Sequence, residues 1–297
     1  MADIEIRFHK DMLVLSAPVD YALERQGVDM AADGEFVSLM EPETVRDAMK
    51  LEVMAGAHCL VTNTEGICES RLAHKRMGGR AEELAQAALA CVQECKPQHV
   101  VCEVGACGLP LDAASEASRL QNMEQYEHAV RAFGDAPYDA VLLNGLRSVQ
   151  DVRCAIQGAR NATDRPVFAS VDLDDEGLFG GCAIDEVAAA LDAADVVGIS
   201  CAADAQTCAA AVRRLASLTN KPLLAQIRIK AATQAEKRRA MLGTPIPGNP
   251  YALPDALADA AIVLRAAGAQ FLRVCGQATP ACTGALAVAV AGTDCVR

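Results

Sequence analysis

Tryptophan is absent from the 297 residues and aromatic side chains make up only 3% of them, so a core here must be filled by small aliphatic side chains rather than large rings. Basic residues are also scarce. The 27 Lys and Arg stand against 39 Asp and Glu, for a net charge of −12. Nucleic-acid binding relies on clustered cations to displace counterions, which excludes DNA and RNA as expected partners. No uninterrupted apolar run approaches the roughly 18 residues that a membrane helix requires. The opening MADIEIRFHKD carries charges where a secretory leader would be apolar. A cytoplasmic protein with no membrane partner is expected. No linker, low-complexity tract or repeat period divides the chain, so a single domain over 1–297 is expected, a length that α/β barrels reach as one unit.

Disulfides are not expected, although there are 13 cysteines. Their number is odd, they are scattered through a large Ala-rich chain, and nothing marks the chain for an oxidising compartment. Most of them, Cys59, Cys91, Cys95 and Cys154 included, are read as small buried hydrophobes.

What the chain does contain is an alternation. Short β-rich apolar runs at Met12 to Ser16, His58 to Thr62, His99 to Glu103, Asp139 to Leu143, Pro166 to Ser170, Asp195 to Ser200, Pro222 to Ile227 and Gln270 to Val274 are separated by segments of helical period. One helix is expected over Pro42 to Ala55, with Glu41 at its N-cap, Pro42 in its first turn and Gly56 as its stop. Another is expected over Pro254 to Ala267, stopped by Gly268. Eight βα units joined by right-handed crossovers close most naturally into a (β/α)8 TIM barrel. Two excursions, Ser16 to Met40 and Lys230 to Leu253 with Gly243, Pro245, Pro247, Gly248 and Pro250, fall in βα loops, on the face where barrel enzymes build their sites. The run Gly177 to Gly181 lacks the Lys-Ser/Thr of a phosphate loop and is read as a flexible loop.

Motifs in sequence order narrow the reading. The segment AGAHCLVTNTEGICESRLAHKRMGGRAEEL at 55–84 resembles the second βα unit of the homocysteine S-methyltransferase family, which includes betaine-homocysteine methyltransferase and the homocysteine module of cobalamin-dependent methionine synthase. PVFASVDLDDEGLFGG is similar to that family's fifth strand and loop, ADVVGISC to its sixth strand ending in a zinc cysteine, and AAGAQFLRVCGQATP to its eighth strand and paired-cysteine turn. The resemblance runs nearly end to end. It implies a methyltransferase moving a methyl group to a thiol acceptor, because zinc removes the thiol proton and leaves a nucleophile that attacks an activated methyl group.

Carried over residue by residue, the resemblance places zinc ligands at Cys201 and Cys275. It leaves one ligand missing, because Val274-Cys275-Gly276 stands where the family has adjacent cysteines. Cys282, Cys102, Cys107, Cys59, Cys68 and Glu65 are candidates for the third. The family's two carboxylates that hold the homocysteine ammonium are replaced by Ser16 and Asn144, which implies altered acceptor recognition. Asn63, Thr64 and Gln226 are further candidates for substrate contact, and Asp172 for a polar pocket. Glu103 is the candidate catalytic group, since a carboxylate there is costly to bury unpaired. The chain has no Asp-x-His-x-x-Gly corrinoid signature, so a corrinoid donor would have to sit on a separate partner protein. Two alternatives stay open: a catalytically degenerate barrel acting in binding or regulation, and metal-free acid/base chemistry by Glu103 or Glu65.

Overall fold

The structure, a computed structural model, describes residues 3–244, 246 and 248–297. Pro245 and Pro247 of the second excursion, and the first two residues of the opening segment, lie outside the described residues. Eight parallel strands form one sheet: β1 (Leu13–Val14), β2 (Cys59–Val61), β3 (His99–Gly105), β4 (Ala140–Leu146), β5 (Val167–Asp172), β6 (Val196–Cys201), β7 (Leu223–Ile229) and β8 (Phe271–Gly276). Their order is β1-β8-β7-β6-β5-β4-β3-β2, and an isolated parallel bridge, Leu15 to Cys59, brings β1 back to β2. The fold is thus a nearly closed (β/α)8 barrel with thirteen α-helices among the described residues.

Each expected strand is present, but six of them run one to three residues further toward the C-terminal rim than their apolar text. The added residues include the polar side chains Asn144, Asp172 and Arg228. They extend the ladder because the lumen offers them partners. β1 is shorter than expected, at two residues.

The helix Pro42–Met54 carries Pro42 in its first turn, where the missing N–H costs nothing, and Glu41 occupies the N-cap without a side-chain cap bond. Gly56 at φ +102° and Gly268 at φ +110° end their segments in a conformation that favours glycine. The second expected helix is Asp255–Ala266. No helix among the described residues is long and apolar enough to cross a membrane.

Strand alternation divides the core into two shells. Outward-facing residues such as Val197, Ile199, Leu223, Ala225, Leu272 and Val274 pack with the helices. Inward-facing Leu13, Val61, Val101, Leu142, Phe168, Val196, Leu224 and Phe271 fill the N-terminal half of the lumen together with Ile4. Phe168 and Phe271 meet edge to face at 4.9 Å, and Phe8 closes over Phe271 at 5.9 Å. The lumen is therefore sealed below and polar above.

Both excursions lie at the rim. The first folds into three short helices, Asp20–Glu24, Met30–Asp33 and Val37–Met40, and is pinned to the loop after β2. There Asn63 donates to the Gly34 carbonyl at 2.7 Å and Lys75 meets Glu35 at 2.6 Å. The second carries the charged helix Gln234–Met241, started by a capping box of Thr233 and Glu236. The run at 177–181 is a turn closed by a bridge between Phe179 and Cys182.

Candidate functional site

The middle layer of the lumen is polar and satisfied. Arg273 on β8 is fully buried and points at Glu103 on β3, whose exposure is 3%. The guanidinium and carboxylate pair through two bonds, Nη1 to Oε1 and Nη2 to Oε2, each 2.8 Å, a fork geometry that gives charge-assisted bonds their strength. Burial penalises the Arg273 cation, but attraction to Glu103 more than offsets this and its pKa is raised. The pair does not stand alone. Asn144 Nδ2 donates to Glu103 Oε1 at 2.7 Å, Gln226 Nε2 donates to Asn144 Oδ1 at 2.8 Å and to Ser170 Oγ at 2.7 Å, and Arg273 donates to Gln226 Oε1 at 3.2 Å. Arg273 Nε also donates to the Ser16 carbonyl at 3.0 Å.

Three of the expected site residues, Glu103, Asn144 and Gln226, thus meet in one network, and Ser16 joins it through its backbone. The Ser16 hydroxyl is occupied elsewhere, accepting from Val61 N at 3.0 Å. Thr64 donates to the Glu103 carbonyl at 2.6 Å and shares a 2.6 Å bond with Thr62. Asn63 holds the first excursion. Both carboxylate oxygens of Glu103 are engaged, Oε1 by Asn144 and Arg273 and Oε2 by Arg273.

The two expected zinc cysteines leave the barrel on different faces. Cys275 follows Phe271 and Arg273 into the lumen, where its Sγ lies 3.8 Å from Ser200 Oγ and 3.7 Å from the Ile227 carbonyl. Burial raises its pKa, against the pull of Arg273 and Arg228. Cys201 follows Val197 and Ile199 outward into the helix-facing core. Its sulfur accepts from Ala203 N at 3.4 Å, while Cys208 donates to the Ala203 carbonyl at 3.4 Å. The Cys208 thiol beside Cys201 lowers the pKa of Cys201 and has its own raised in turn.

Among the described residues, no three His, Cys, Asp or Glu side chains group as a metal would require. Cys59 belongs to the sealed lower lumen, while Cys68, Cys102, Cys107 and Cys282 belong to the helix-facing core. Zinc with three protein ligands needs donors converging tetrahedrally at about 2.0–2.3 Å. The residues present do not fit that group.

Above the network the barrel opens into a cavity of about 750 Å³. Cys275 and Gly276 line it together with Ser200 of β6 and Asn144 of β4. Asp172 of β5 and Arg228 of β7 face it, paired at 2.8 Å, and Arg228 Nη2 also donates to Ser200 Oγ at 3.0 Å. Pro18, Asp20, Glu65 and Arg71 line it too. Glu65 can sit there because Gly105 ends β3: a Cβ at Gly105 would stand 2.6 Å from both the Glu65 Cγ and its carbonyl oxygen. Asp20 has its carboxyl pKa raised to about 7 by burial and by repulsion from Glu65 and Glu103. Glu65 is shifted in the same direction by the crowding of the cavity mouth and the charge of Glu103, although about half of its side chain, 53%, remains exposed.

Sequence reasoning missed Arg273, Arg228, Asp20 and Ser170. Arg273 did leave a signal, since an arginine inside the buried run FLRV demands a buried partner. Asp20 left none, because only the fold of the first excursion turns it toward the rim.

Eight βα units with a charged cavity at the carboxyl ends of their strands define a (β/α)8 barrel of the kind that carries its site at that rim. The family model described as homocysteine S-methyltransferase matches residues 14–290, and the chain belongs to that family of methyltransferases. Among solved structures it resembles the homocysteine methyltransferase MmuM from Escherichia coli in its metallated form. That likeness has 20% identity over 94% of this chain and 96% of that one, with a TM-score of 0.70. The apo form of MmuM matches with the same identity and coverage at a TM-score of 0.66. The carboxyl transferase domain of Rhizobium etli pyruvate carboxylase shares 12% identity over 97% of this chain and 44% of that one, at a TM-score of 0.55. Identities this low speak for the fold alone. No curated protein matches the chain in sequence.

Proposed function

We propose that this protein transfers a methyl group to a small thiol acceptor bound in the rim cavity. The observation that carries the reading is the cavity itself: a charged, polar space of about 750 Å³ at the carboxyl ends of the strands, in a chain that matches the methyltransferase family over 14–290. Methyl transfer to sulfur needs a thiolate and an in-line donor. As the new S–CH3 bond forms, the bond from methyl to the donor breaks, and the thiol proton has already left for a carboxylate of the wall.

In this reading Arg228, held by Asp172 and Ser200, is the cation that favours a bound thiolate. Asn144 contacts the acceptor from the cavity wall. Glu103 is a positioning residue that fixes Arg273 and Asn144, and Ser16, Asn63, Thr64 and Gln226 hold the strands and loops that shape the space. The donor set does not fit zinc, so in this reading the thiolate forms without the metal, and altered acceptor recognition follows from the neutral side chains at 16 and 144.

The test is a matrix of thiols, homocysteine included, against betaine, a methyl sulfonium and a methylcorrinoid on a separate protein, with S-methyl product read by mass spectrometry. Product with one pair, falling about 100-fold in kcat for Arg228→Gln, supports the reading. No product with any pair overturns it. A second reading, a binding barrel without turnover, is favoured by the opposite orientations of Cys201 and Cys275, and it expects thiol binding with no product in the same matrix.

A further inference from the structure

The second excursion, Lys230 to Leu253, takes no part in the rim cavity, yet it builds a space of its own beside it. Together with the first excursion and the loop after β8 it encloses about 500 Å³. The two cavities share a wall: Asp20, Arg228 and Gly276 line the first, and their chain neighbours Tyr21, Ile229 and Gln277 line the second. Gln277 N donates to the Ile229 carbonyl at 3.0 Å and ties that wall together.

The charge of this second cavity is opposite to that of the molecule. Arg25, Lys230 and Lys237 line it and no Asp or Glu does, in a chain whose net charge is −12. The cations come from the end of the helix Asp20–Glu24, the end of β7 and the helix Gln234–Met241, so the fold gathers them and local sequence does not. Like charges drawn together repel unless an anion sits among them. Lys230 meets Asp175 at 2.7 Å. Lys237 makes no ion pair or hydrogen bond with a described residue, and Arg25 has only the ring of Tyr21, 5.9 Å away. The acids next to them in sequence are turned elsewhere, Glu236 to Thr233 and Asp20 to the rim cavity. Two helices, Asp255–Ala266 and Pro280–Val290, begin at this cavity with Pro254 and Thr279, and neither has a side-chain cap. Their open N-termini add partial positive charge.

We propose that this cavity binds the phosphoryl group of a phosphate monoester. The loops after strands 7 and 8, with a helix N-terminus, are where barrels of this architecture commonly hold phosphate. A carboxylate carries one charge and is met by one guanidinium fork, whereas three cations around one space suit a dianion with three free oxygens. The space is larger than inorganic phosphate needs, so the phosphoryl group arrives on an organic body that packs against Ile229 and the Tyr21 ring. The site depends on the two excursions and their cations, and methyl transfer in the neighbouring cavity can fail without touching it.

Calorimetry on the full chain at pH 8 and fixed ionic strength tests the assignment, with phenyl phosphate, inorganic phosphate and benzoate as probes. Phenyl phosphate is expected to bind in the millimolar range or tighter, inorganic phosphate more weakly, and benzoate weakest because it carries a single charge. Arg25→Gln and Lys237→Gln should each weaken phenyl phosphate roughly 10-fold. Arg153→Gln, which removes an exposed cation from the helix Val149–Ala162, should leave it unchanged. Acylation of Lys237 in wild type, followed by mass spectrometry, should slow when phenyl phosphate is present, and this readout needs no variant to fold.

Absence of phenyl phosphate binding at millimolar ligand overturns the proposal, as does benzoate binding equally well. An equal loss in Arg153→Gln would mean diffuse attraction of anions to the surface, and binding that leaves Lys237 unprotected would put the ligand elsewhere; either result also defeats it.

Discussion

At the scale of single residues, the ionisable groups of the lumen divide into those the protein satisfies and those it leaves open. Glu103 and Arg273 satisfy each other, so removing one charge strands the other in the interior. Glu103→Gln or Arg273→Met is expected to cost about 3–5 kcal/mol in urea unfolding, and Arg273→Met/Glu103→Leu less than the sum of the two. Additive losses would show that the pair is not coupled.

Asp20 behaves in the opposite way. Its folded-state pKa of about 7 lies above the ordinary 3.8, because burial and repulsion from Glu65, Glu103 and Glu35 outweigh the attraction of Arg273, in a cavity that Arg71, Arg147 and Arg228 also line. The folded protein therefore holds this proton more tightly than the unfolded chain does, and stability falls as pH rises from about 4 to 7. Asp20→Asn should match wild type near pH 4 and exceed it by about 1–3 kcal/mol at pH 8, the range allowing for water in the cavity. Equal stability at pH 8 would remove the case for a strained carboxyl at this position.

At the scale of elements, the weak place is the seam between β1 and β2. Seven strand pairs carry ladders, while β1 and β2 share one bridge and a few bonds at their ends, such as Ser16 N to the Cys59 carbonyl at 2.9 Å. The buried ion pair joins β8 to β3 across that seam, and Arg273 also grips the Ser16 carbonyl between them. Hydrogen exchange at Ser16, His58 and Val61 should accelerate in Arg273→Met more than exchange in β5 and β6 does. Uniform acceleration would mean that the pair acts on global stability alone. Gly105 is the second element-scale device, since β3 must end without a Cβ for the Glu65 loop to cross it. Gly105→Ala should cost about 1–3 kcal/mol through overpacking; unchanged stability in urea unfolding would show that the loop tolerates the shift.

For the molecule as a whole, the sequence made the barrel legible because each strand carries its own apolar run and each connection its own helix signal. Even the two excursions were visible as breaks in that rhythm. The site was only partly legible. Glu103 is legible because a carboxylate is costly to bury unpaired, Gln226 as a polar residue on an apolar strand, and Asn144 only through the resemblance, as a neutral side chain where the family has a carboxylate. Their partner Arg273 was passed over, and the facing of Cys201 and Cys275 could not be seen, because motif spacing reports distance along the chain and not which side of a strand a sulfur occupies. That facing has a molecular consequence: purified protein should carry well under one zinc per chain by elemental analysis, and chelator should leave its thermal midpoint unchanged. Stoichiometric zinc lost in Cys201→Ser would reverse this.

The cysteine inventory carries a further consequence. Nine of the 13 thiols are buried, three are half-buried and Cys182 alone is exposed. An alkylating reagent should therefore modify Cys182 at once and the buried thiols only as the barrel breathes. The chain thus contains its own stopwatch for opening, readable site by site by mass spectrometry without any introduced label.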